Sequence, residues 1–284
     1  TAPTEIYTLS LHDALPIFGP GTMADVLTEA GVAVRRVPRV DAKSLRGCRI
    51  LVIEPHAVRP GSDLNRRVLA FVRRGGRAIV LEQTASLFPS LALDPKPVNT
   101  AFVRAPNHPV LEGLANADFA YWGDDPYALV GGNALVARHL YRKDDGSRML
   151  ALLDAGEGGF GHGDLARTPL FESVAGEGLV LACQLRLAET LAHQPAARHL
   201  LANLLRRADT FVPSPKPTPM IAGEQTELQS MLRWAAAGGT VVLDIESPAQ
   251  VSALGAALGI PLTAVAGEPA YQAVRVTPDP VLDG

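Results

Sequence analysis

Residues 48–83 read CRILVIEPHAVRPGSDLNRRVLAFVRRGGRAIVLEQ, and the order of apolar patterns within them decides the fold. Cys48–Pro55 is a near-continuous apolar run, as in strands that are covered on both faces. After Ser62, read as the N-cap, Leu64, Val68, Phe71 and Val72 recur on one helix face until Gly75-Gly76 stops the helix. Arg77–Gln83, RAIVLEQ, enters a second buried strand. Strand, helix and strand joined by short links imply right-handed crossovers and a mostly parallel sheet with helices on both sides.

The same alternation extends outward. Upstream, a short amphipathic helix over Met23–Ala30 ends at Gly31 and is followed by a strand, VAVRRV. Downstream, GLVLACQL (Gly178–Leu185) reads as a further strand, and Ala197, Leu200, Leu201, Leu204 and Leu205 mark a closing helix. The expectation is a doubly wound α/β domain over residues 18–211, followed by the Pro-rich linker VPSPKPTP at 212–219. Beyond it the pattern restarts. Phe71–Gln83 aligns with Trp234–Glu246, and Phe102–Gly113 aligns in the same order with Ala273–Gly284. Residues 220–284 are therefore expected to be a partial second copy, and the chain a fragment of a longer protein.

EIYTLSLHDALPI (Glu5–Ile17) follows neither a helical nor an alternating period and has no signal-peptide layout. It resembles a translated sequencing-library adapter. Residues 1–17 are accordingly set outside the fold, with the domain starting at Phe18. Residues 1–17 are expected either to make few specific contacts or to occupy the strand slot before Met23, and the loss of the native strand there is expected to expose its neighbours and favour aggregation.

Composition narrows the function classes. With 47% hydrophobic and 19% charged residues the chain is globular. A net charge of -3 and no run of Lys and Arg along any one segment argue against a nucleic-acid partner. No apolar run reaches transmembrane length, so a soluble chain without a membrane partner is expected. Cys48 and Cys183 lie in or beside apolar runs and read as buried thiols.

The buried strand, the helix ending in Gly-Gly, NHPVLEGL (107–114), YWGDD (121–125), GEGLVLACQL (176–185) and PAARHLLANLLRRA (195–208) together resemble a known family. They are similar to the class I glutamine amidotransferase-like domains that serve as accessory units of bacterial glycoside hydrolases related to β-galactosidases and glycoside hydrolase family 2. The resemblance implies a flavodoxin-like sheet. It also implies a partner, either a catalytic domain of the same polypeptide or a sister subunit, with carbohydrate as a further candidate. It allows an extracytoplasmic setting, although the sequence itself assigns no compartment.

Amidotransferase chemistry needs a nucleophile on a sharp strand-to-helix elbow, with a base and a carboxylate brought to it. Neither Gly-x-Cys-x-Gly nor Gly-x-Ser-x-Gly occurs, the elbow position carries Glu82-Gln83-Thr84, and Cys183 sits inside a strand. No catalytic residue is assigned. Tyr121 and Trp122 with Asp124 and Asp125 form the one concentration of aromatics and carboxylates, either a sugar-contacting platform or a loop whose rings plug the sheet. Glu54 ends a strand where open α/β sheets place ligand crevices, and helix capping explains it equally. GEGGFGHGD (156–164) lacks the ending of a phosphate loop and reads as a surface loop. The histidines show no ligand spacing, so neither a metal nor any other cofactor is expected. The sequence thus points to a non-catalytic accessory domain of a carbohydrate-active enzyme, with a stand-alone hydrolase or amidotransferase-like enzyme and a sugar- or ligand-binding module as alternatives.

Overall fold

The computed structural model describes residues 14–29, 31–123, 135–143, 149–155, 165–213, 220–222, 241–243 and 256. The chain divides into two units, Thr1–Pro213 and Ser214–Gly284.

The first unit begins with β1 (Leu15–Phe18), α1 (Met23–Glu29), β2 (Val34–Arg36), β3 (Ile50–Ile53), α2 (Leu64–Arg73) and β4 (Arg77–Val80). Short strands follow, β5 (Leu93–Asp94), β6 (Phe102–Val103), β7 (Leu140–Arg142), β8 (Leu150–Ala151), β9 (Leu153–Asp154) and β10 (Arg167–Thr168). The unit closes with β11 (Leu170–Ala175), β12 (Gly178–Cys183), α3 (Leu187–Thr190) and α4 (Pro195–Thr210). The main sheet has seven strands in the order β2-β1-β3-β4-β12-β11-β8. From β2 to β12 every pair is parallel, whereas β11 is antiparallel to both of its neighbours. This is a flavodoxin-like, doubly wound α/β fold.

Side chains alternate across the sheet. Ile50 and Val52 of β3, with Ile79 and Leu81, join one core with Met23 and Leu27 of α1 and Leu200 and Leu204 of α4. Leu51 and Ile53, with Ala78 and Val80, join the other with Val68, Phe71 and Val72 of α2. The continuous apolar runs of the sequence thus serve two faces at once. Packing is closest at Gly178, where an added Cβ would stand 1.9 Å from the Val72 carbonyl oxygen.

Several expectations need correction. Of the two outcomes expected for residues 1–17, Leu15–Phe18 follow the second and fill the strand slot before α1, between β2 and β3. Leu15 and Ile17 are buried there, so three residues that were set aside belong to the sheet. Leu15 N–H donates to Ala33 on the β2 side, and Ile17 O accepts from Val37. The donor that Pro16 lacks therefore falls on the β3 side, where pairing begins only at Ile17↔Val52. The N-cap of α2 is Asp63, not Ser62, and its carboxylate makes no capping bond but pairs with Arg66 and Arg67. β11 was not expected, nor was its antiparallel pairing.

In the second unit, β13 (Met220–Ala222) pairs in parallel with β14 (Val241–Leu243).

Candidate functional site

Strand order reverses between β1 and β3, and in open α/β sheets ligands enter outside the carboxyl ends of the strands at such a switch point. β1 leads there into Gly19-Pro20-Gly21-Thr22 and α1, while β3 delivers Glu54. Glu54 is fully buried, and its Oε1 accepts from the Ala24 N–H at 3.1 Å, inside the first turn of α1. Arg36, at the end of β2, reaches Oε2 at 3.3 Å and also pairs with Asp25 at 3.1 Å. The linking loop is shaped around this carboxylate. Gly19 has φ +140, and a Cβ there would stand 2.7 Å from the Glu54 Cβ. The crevice thus holds an internal carboxylate that satisfies a helix N–H and meets a guanidinium.

The next two strand ends are closed by amides. The Gln83 side chain donates to the Glu54 and Leu81 carbonyls at 2.8 and 2.7 Å and accepts from the Val58 N–H at 2.8 Å. Its own backbone N–H donates to Gln184 Oε1 at 2.9 Å, which ties β4 to the residue after β12. Beside it runs a chain of charges. Arg138 meets the buried Glu82 at 3.1 Å and Glu189 through two bonds of 2.8 Å, and Glu189 in turn takes Arg186 at 2.6 Å. The Arg138 bonds, with those from Arg186, hold the Glu189 carboxyl at about 2 against the opposing effect of burial. The Arg138 guanidinium is pushed further up, first by Glu189. His139 is pushed down by burial, which outweighs the nearby Glu82 carboxylate. His56, whose N–H donates to the Glu82 carbonyl at 2.8 Å, adopts a left-handed φ of 58°. In the sequence Glu82 stands out only as the occupant of the elbow position. Arg138 and Glu189 carry no local signal, because they reach it from 56 and 51 residues along the chain from their partners.

Cys183 lies wholly inside β12, and burial pushes its thiol up to about 12. Such a group is protonated at neutral pH and has no access to a substrate. Among the described residues no group of three His, Cys, Asp or Glu side chains could hold a metal ion.

The YWGDD stretch divides. Trp122 is fully buried, its indole N–H donates to the Asp118 carbonyl at 2.6 Å, and it stacks on Phe119 at 6.3 Å. Its ring is therefore enclosed by the protein. Tyr121, by contrast, is 41% exposed and has a left-handed φ of 54°. Asp124, Asp125 and the loop at 156–164 lie outside the described residues. Glu54 bonds to α1 and β2 while the Tyr121 backbone bonds to Asn99, so no hydrogen bond between described residues joins the two candidate sites.

No protein-family model and no curated protein matches the chain. Among solved structures, a ThuA-like protein from Bacteroides uniformis is similar at 11% identity and a TM-score of 0.44, over 72% of this chain and 96% of that one. A β-galactosidase from Rahnella sp. R3 is similar at 16% identity and a TM-score of 0.39, over 73% of this chain and 33% of the enzyme. An exo-β-1,4-mannosidase from Opitutaceae bacterium strain TAV5 is similar at 12% identity and a TM-score of 0.38, over 72% of this chain and 37% of the enzyme. The fold rests on strand order. No described helix is long and apolar enough to cross a membrane.

Proposed function

We propose that this chain is a non-catalytic, architectural α/β domain that serves a carbohydrate-active enzyme by packing against a catalytic domain of the same polypeptide or a sister subunit. The observation that carries the reading is the burial of Glu54 in the switch-point crevice, where it caps α1 and meets Arg36. The place where this fold would receive a ligand holds one of its own side chains, and the neighbouring strand ends are tied by Gln83 and Gln184. A hydrolase reading is disfavoured by the buried Cys183 thiol. The reading of residues 220–284 as part of a second copy is supported by parallel strand pairing. The sequence alignment equates Val241–Leu243 with Ala78–Val80, and both sets pair in parallel with a preceding apolar strand.

A second reading, a carbohydrate- or ligand-binding module, draws on Tyr121 alone, since an exposed aromatic held at positive φ is a form of strain that recurs at binding sites. Assay of the purified chain on nitrophenyl glycosides, nitrophenyl esters and glutamine separates these readings from catalysis. No turnover above that of a Cys183→Ala, Asp124→Asn double variant is expected. Turnover that survives purification and disappears in that variant overturns the architectural reading.

A further inference from the structure

We propose that the amino edge of the parallel sheet, opposite the Glu54 crevice, is a docking surface for the carboxylate-bearing face of a protein partner. The proposal rests on the architectural reading above and says which surface serves it. Arg46 and Arg49 precede β3, Arg73 ends α2, Arg74 follows it, and Arg77 opens β4, so the fold collects at one edge residues that the sequence keeps apart. Arg46, Arg49, Arg73 and Arg74 are exposed and have no ionic partner among the described residues. Elsewhere the arginines are mostly paired, as Arg36, Arg66, Arg67, Arg104, Arg138 and Arg207 illustrate.

Arg77 supplies an independent sign. It is buried, its Nη2 donates to the Phe211 carbonyl at 3.0 Å, and its Nε–H has no partner. No carboxylate pairs with it. Burial and the neighbouring Arg49 both push this guanidinium down, and Asp209 offsets them only in part. Like charges gathered without counter-charges cost free energy that an incoming carboxylate would recover. Glu177 beside Gly75, together with Asp209, interrupts the positive field. A continuous polyanion such as nucleic acid would be repelled at those points, whereas a protein surface can place separate carboxylates against separate guanidinium forks.

The test uses the full chain and a synthetic peptide of alternating glutamate and glycine, titrated by fluorescence anisotropy at low and moderate salt. Binding is expected, weakened about tenfold by Arg49→Glu with Arg74→Glu. Arg39→Glu with Arg59→Glu, also exposed and without ionic partners but beyond the carboxyl ends of β2 and β3, is expected to leave it unchanged. Phenylglyoxal footprinting of the unaltered chain should show the peptide shielding Arg49 and Arg74 over Arg59, which reads the site even if the reversed variant misfolds. No binding, equal loss in both variants, or equal or tighter binding of a single-stranded oligonucleotide at the same arginines overturns the proposal. Enzymatic turnover by a chain that still binds the peptide would instead overturn the architectural reading and leave this surface in place.

Discussion

Glu172 of β11 shows most clearly what one side chain contributes. Arg207 bonds both of its oxygens, at 2.7 and 2.9 Å, and His108 Nε2 lies 3.2 Å from Oε2. Because His108 Nδ1 accepts from the Val110 N–H, the ring proton sits on Nε2 and donates to the carboxylate. Burial works to raise the carboxyl, but the Arg207 and His108 bonds more than reverse it and hold it at about 2. A folded value below the unfolded one means that this stability is present above about pH 4.5 and is lost as pH falls toward 2. Glu172→Gln should therefore remove on the order of 2–3 kcal/mol at pH 7 and much less near pH 2. Urea melts across that range check it, and a constant difference would show that the charge is not responsible. Glu54→Ala should cost about 1–3 kcal/mol by stranding the Ala24 N–H, without creating or abolishing any activity. The position of Glu54 was legible because it ends an apolar strand. The Glu82–Arg138–Glu189 chain was not, since its members come together only after the sheet has formed. In YWGDD a buried indole and an exposed phenol are adjacent letters with opposite environments, a difference that spacing along the chain does not carry.

At the scale of elements, β3, α2, β4, β12 and α4 were legible because strands buried on both faces and an amphipathic helix leave strong patterns over several residues. β1 was not. Its four residues, LPIF, carry a proline and adjoin a stretch of unrelated pattern, so only its pairing with β2 and β3 identifies it. β11, LFESVA, hides for another reason, since Glu172 and Ser173 interrupt the apolar run and the Glu172 partners are remote in sequence. The burial of Ile17 makes β1 testable. Ile17→Ala should cost about 2–5 kcal/mol, the range for truncating a core aliphatic side chain. A chemical melt checks it, and a loss below about 0.5 kcal/mol, typical of surface positions, would show that β1 is not held in the sheet. Gly178→Ala should be worse, because the Val72 carbonyl that its methyl would strike belongs to the backbone of α2 and cannot turn aside.

Across the first unit as a whole, two apolar layers share one sheet, and the shared strands determine how it must unfold. One layer holds Trp122, Phe119, α1 and α4, and the other holds α2 with Phe88, Tyr141 and Phe171. Tyr141 and Phe171 meet edge to face at 5.1 Å, and Phe88 lies 5.7 Å from Phe171. Neither layer can open alone, because β3 and β4 give alternate residues to each, so losing one face frees the strands that line the other. Sequence patterning could establish that these strands face two ways, but not which helix covers which face, since α1 and α2 are both short and amphipathic. The coupling can be measured with Val68→Ala, which removes buried methyls from the α2 layer, while Trp122 reports from the opposite one. In a Trp234→Phe background only Trp122 fluoresces as indole. The substitution should cost about 2 kcal/mol and lower the melting temperature by roughly 4–8 °C. The Trp122 transition should move by the same amount as the far-ultraviolet circular dichroism of the first unit, although Val68 and Trp122 lie on different faces. If the Trp122 transition held still while the dichroism shifted, the two layers would be unfolding separately, and the sheet would not be the common support that its alternating residues make it.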